Sequence, residues 1–133
     1  MFKTVLFPVD QSRDSQDAAE KVAEIVKFCN SKLVILSVQA DTEETADAST
    51  SASQVVDQLL QNAKIAFSDW GIPAETIKKQ GKPAFCICDL ADEINADLIV
   101  MGCRGVGLTE EGIADSVSNR VINLAPCPVM IIP

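Results

Sequence analysis

The stretch of this chain best suited to holding an anion is Met101-Gly102-Cys103-Arg104-Gly105-Val106-Gly107-Leu108-Thr109, which continues through Glu110, Glu111 and Gly112 to Asp115 and Ser116. Glycines at a strand end let backbone N–H groups approach an anion closely, and a helix start favours negative charge. A second loop, Pro8-Val9-Asp10-Gln11-Ser12, offers a carboxylate but no glycine. It therefore carries neither the G-x-G-x-x-G dinucleotide fingerprint nor the G-x-x-x-x-G-K-S/T phosphate loop. With no histidine in the chain, acid–base chemistry through imidazole is excluded. No nucleophile stands beside a base, which places an enzyme behind a binding protein or an interaction module. Phosphate hydrolysis would further require a positioned metal and water, so at most slow hydrolysis is expected.

Several of these residues admit two readings. Asp115, at a helix start, either caps the helix by accepting a backbone N–H bond, worth about 1 kcal/mol, or takes part in ligand or metal binding. A carboxylate roughly 4 Å from a phosphate, at an effective dielectric of about 20, opposes it by about 4 kcal/mol per unit charge. That would weaken triphosphate binding by about three decades. A magnesium ion bridging Asp115 to phosphate oxygens reverses the sign. Asp10 either caps the helix that follows or binds ligand, Arg104 either pairs with Glu110 or Glu111 or clamps a phosphate, and Cys103 is either an inert thiol or an oxidant sensor.

The elements that must position these residues are visible as hydrophobic patterns. Lys3 to Val9, Lys32 to Val38, Ala74 to Lys79, Asp97 to Gly102 and Pro128 to Ile132 carry β-branched or continuous apolar runs, as expected of strands covered on both faces. Between them lie stripes at three-and-four spacing: Ala18, Val22, Ile25, Val26, Cys29; Val56, Leu59, Leu60, Ala63, Phe67, Trp70; Ala84, Ile87, Cys88, Ala91, Ile94; and Val117, Val121, Leu124. Pro83 fits a first helical turn. Strand and helix alternate throughout, which predicts one domain over residues 1–133, a doubly wound parallel five-stranded sheet with right-handed crossovers. With strand order 3-2-1-4-5, the loops after strands one and four flank the point where strand order reverses, where ligands bind. Residues 40–53, rich in Asp, Glu, Ser, Thr and Ala, read as a flexible surface loop.

Composition removes other classes. The 133 residues suffice for one core, and the net charge is −8, with Asp41, Glu43, Glu44 and Asp47 in one short stretch. Nucleic acid and membrane surfaces need clustered Lys and Arg, so neither is an expected partner. The start, Met1-Phe2-Lys3-Thr4-Val5-Leu6-Phe7-Pro8, is too short an apolar run for a signal peptide, and no run approaches a membrane span of about 20 residues. The expected location is the cytoplasm. Five cysteines set among apolar residues read as reduced, buried structural thiols; none has zinc-finger spacing, and Cys86 and Cys88, two apart on a helix, point to different sides.

Phe7-Pro8-Val9-Asp10, then Val100-Met101-Gly102-Cys103-Arg104-Gly105, then Asp115-Ser116-Val117-Ser118-Asn119-Arg120-Val121 leading to Ala125-Pro126-Cys127-Pro128-Val129, together resemble the universal stress proteins, in order and over almost the whole chain. The resemblance implies a Rossmann-like, flavodoxin-like fold of the adenine nucleotide alpha hydrolase type, a stress-response role, and a homodimer joined through the last strand, 128–132. An unpaired apolar edge at Pro128-Val129-Met130-Ile131-Ile132 agrees with that last point. Nucleotide-binding members carry G-x2-G-x9-G-S/T; here Gly102 and Gly105 match the first two glycines, Asp115 replaces the third, and Ser116 matches the hydroxyl. The implied nucleotide site comprises Pro8, Val9, Asp10, Val38, Met101, Gly102, Arg104, Gly105, Asp115, Ser116, Val117 and Ser118, with ATP or AMP as ligand and magnesium as its companion. The alternative is a dimerisation or interaction module without nucleotide, in which Asp115 closes the phosphate site.

Overall fold

The structure is a computed structural model that describes residues 2–9, 13–39, 46–102 and 113–132. Its elements run β1 (Thr4–Pro8), α1 (Arg13–Cys29), β2 (Lys32–Gln39), α2 (Ala46–Asp69), β3 (Ala74–Gln80), α3 (Pro83–Glu93), β4 (Leu98–Gly102), α4 (Ile113–Leu124) and β5 (Val129–Ile132). The five strands form a single sheet in the order β3-β2-β1-β4-β5, and every neighbouring pair is parallel. This is the doubly wound order expected from the alternation of patterns.

Side chains alternate across the sheet, and each face has its own core. Val5, Phe7, Leu33, Ile35 and Val100 meet Ala18, Val22 and Val26 of α1 and Val56, Leu60 and Phe67 of α2. On the other face Leu6, Val34, Leu36, Ile99 and Met101 meet Ala84, Ile87, Cys88, Leu90 and Ala91 of α3 and Val121 of α4. The central strands are apolar throughout because both faces are covered. Phe67 anchors the first core edge-on between Phe7 and Trp70, with ring centroids 6.1 and 5.4 Å away.

Three of the helices end in the same way. Asn30, Gly71 and Asn95 adopt φ of 54°, 79° and 53°. The residue after each donates its N–H five residues back: Ser31 to Val26, Ile72 to Phe67 and Ala96 to Ala91. Only glycine and asparagine enter this left-handed conformation at low cost, and the resulting turn satisfies carbonyls that the helix end would leave unpaired. The turns deliver the chain straight into β2, β3 and β4. At the foot of the sheet the start of β1 is held from both sides: the Ser31 hydroxyl donates to the Phe2 carbonyl, and the Asp97 carboxylate accepts the Lys3 and Thr4 N–H groups at 3.0 and 2.9 Å.

Three sequence expectations are corrected. Residues 46–53 are the first turns of α2 and not loop, so the predicted 40–53 loop is shorter; residues 40–45 lie outside the described residues. Alanine at 46, 48 and 52 has the highest helix propensity, and extending a helix from a packed stripe costs far less than nucleating one. Asp115 is the third residue of α4 and not its cap, because the helix begins at Ile113. The thiols are not uniformly buried: Cys88 is, but Cys29, Cys86 and Cys127 are half-exposed, because Cys29 ends α1 beside the exposed Phe28, Cys86 lies on the flank of α3, and Cys127 precedes an edge strand.

Candidate functional site

The C-terminal ends of the strands are where the fold makes room for a ligand. β1 pairs with β2 along its whole length, from Thr4 with Lys32 to Pro8 with Leu36, and the Val9 N–H carries the ladder one step further to the Leu36 carbonyl at 2.8 Å. On its other side β1 pairs with β4 only at Val5 with Leu98 and Leu6 with Ile99. β4 itself continues to Gly102, now paired with β5 as far as Ile132. Above Leu6 and Ile99, then, β1 and β4 part, and the sheet opens at the point where strand order reverses.

Pro8 supplies a local reason. Backbone groups of a strand point alternately to its two neighbours: the Lys3 carbonyl and the Val9 N–H bond β2, and the Thr4 carbonyl receives the Asp97 N–H on the β4 side. Position 8 therefore faces β4, and proline has no N–H to offer there. The ladder cannot continue across the opening.

Around this opening stand several of the residues expected from sequence. Pro8 and the buried Val9 end β1, and the half-buried Val38 lies near the end of β2 on the α3/α4 face. Met101, buried, and Gly102, half-buried, end β4. Val117 packs into the α3/α4 core one turn before Val121, which fixes the start of α4 against the same face. Asp115, Ser116 and Ser118 fall in the first two turns of that helix. Asp10, Cys103, Arg104, Gly105, Glu110 and Glu111 lie outside the described residues. The described backbone thus brings the ends of β1, β2 and β4 together.

The charge chemistry of the described region is quiet. No group of three His, Cys, Asp or Glu side chains there is arranged to hold a metal ion. Burial pushes the Cys88 thiol above its ordinary pKa, helped by Asp89; burial also raises Cys127, followed by the charges of Asp97 and Cys88. Raised thiols are protonated and poorly nucleophilic at neutral pH. Cys86 turns its sulfur to the Gln80 carbonyl at 3.8 Å and Cys88 to the Val121 carbonyl at 3.9 Å, so the two do point apart.

Sequence reasoning missed two residues. Asp97 was read only as the start of a strand, yet it clamps β1 from 93 and 94 residues away. Ser37 was passed over inside an apolar run, although a lone hydroxyl between Leu36 and Val38 in a doubly covered strand was the available signal.

Comparison with known proteins agrees with this architecture. The family model described as the universal stress protein family matches residues 1–133. The universal stress protein Sll1654 of Synechocystis is 52% identical over 136 residues, covering 100% of this chain and 87% of that protein. Among solved structures, a universal stress protein in complex with cAMP is 26% identical with a TM-score of 0.77, covering 99% of this chain and 97% of its own. One from Archaeoglobus fulgidus in complex with dAMP is 22% identical with a TM-score of 0.77, covering 99% and 98%.

Proposed function

The chain belongs to the universal stress protein family, and from that premise we propose that it is a cytoplasmic, dimeric stress-response protein whose nucleotide crevice is regulatory. The observation that carries the reading is the parting of β1 from β4 above Leu6 and Ile99, which opens the sheet at the ends of the two strands that Asp10 and the glycine segment follow in sequence. In this reading Asp10 and Val38 receive the nucleoside. Gly102, Arg104, Gly105, Ser116 and Ser118 receive ribose and phosphate, while Pro8, Val9, Met101 and Val117 form the walls. Relatives of the same fold were solved with cAMP and dAMP, both monophosphates. A monophosphate also suits this chain better than ATP, because Asp115 stands where the motif has its third glycine and opposes added phosphate charge unless magnesium bridges them.

The test is to release and identify small molecules from freshly purified protein, then to titrate AMP, ATP and magnesium calorimetrically into wild type and Asp115→Gly. Wild-type binding of AMP, with ATP gaining from magnesium, is the expected result. Silence from wild type with binding by Asp115→Gly would support the second reading, a nucleotide-independent interaction module with a closed phosphate site. Silence from both would leave only that module.

Dimerisation through β5 is supported by its apolar sequence and by Met130, Ile122 and Leu124, which expose 36%, 52% and 50% of their surface. Sedimentation at micromolar concentration should give a dimer for wild type and a monomer for Met130→Glu. A wild-type monomer would refute this interface.

A further inference from the structure

We draw no further inference here: the strongest candidate, the backbone edge of Val38 where β2 runs on past the end of β1, belongs to the opening already described and to the nucleotide reading proposed for it.

Discussion

Replacing Asp97 by alanine tests the clamp that holds β1 against β4 at the foot of the sheet, beneath the opening. The substitution removes the acceptor of two backbone N–H groups, Lys3 at 3.0 Å and Thr4 at 2.9 Å. A hydrogen bond to a charged group contributes about 1.5–3 kcal/mol. The Lys3 bond is exposed, and water replaces its acceptor at little cost; the Thr4 bond is partly buried and dominates. The expected loss is therefore about 2 kcal/mol, or a Tm lower by about 6–10 °C for a domain of this size. Register should survive, because the Asp97 N–H still donates to the Thr4 carbonyl at 2.8 Å. Asp97→Asn keeps a neutral acceptor and should lose about half as much. Urea unfolding followed through Trp70, the chain's one tryptophan, reads both values. The same carboxylate raises the Cys127 thiol, after burial itself, so Asp97→Asn should also label faster with iodoacetamide at Cys127. Cys88, whose charged neighbour is Asp89, serves as the control for general opening. A loss within about 0.5 kcal/mol, the range of an ordinary surface change, would refute the clamp. Equal acceleration at Cys88 and Cys127 would refute the electrostatic link.

Two further outcomes follow from the cores. The raised thiols of Cys88 and Cys127 hold their protons longer in the folded than in the unfolded chain. Their contribution is full below the unfolded thiol pKa and is lost as pH rises through the higher folded value, so the urea midpoint should fall on the alkaline side. A Cys88→Ala, Cys127→Ala protein should show a shallower fall, and identical slopes would refute the assignment. Phe67→Ala removes the ring lodged between Phe7 and Trp70 and should cost about 3–5 kcal/mol, with Phe67→Leu costing under about 1.5, both read by thermal melts.

Strand positions were legible because a doubly covered strand must be apolar on both faces, and Val5 to Phe7, Leu33 to Leu36 and Leu98 to Met101 leave no other reading. Helices were legible wherever a stripe met a core: Ala18, Val22 and Val26, or Ala84, Ile87, Cys88 and Ala91. The start of α2 was not, because a stretch of Ala, Ser, Thr and Asp carries no stripe, and its helicity depends on attachment to the packed part near Val56. The positions of Val9, Val38, Met101 and Gly102 at the strand ends were legible from the strand pattern. Asp97 was not, because hydrogen bonds to residues 93 and 94 positions earlier leave no local trace.

The two edges of the sheet are finished differently, and the difference bears on which edge could receive a second copy in the proposed dimer. An exposed strand edge invites pairing, and charged side chains discourage it. On β3 each of Glu75, Lys78 and Lys79 is engaged, with Lys32 at 3.4 Å, Asp57 at 2.9 Å and Glu93 at 3.8 Å. Exposed ion pairs of this kind add little stability. Their effect is steric and electrostatic: a strand approaching β3 must displace charges that already have partners. β5, Val129-Met130-Ile131-Ile132, carries no charge at all, and its Met130 is 36% exposed. Growth at β3 is thus opposed and growth at β5 is not, which is the asymmetry required for a closed pair and not an open chain of sheets. Such a pair would extend the sheet through β5, the strand that carries β4 past its parting from β1, so the interface would abut one side of the opening between β1 and β4.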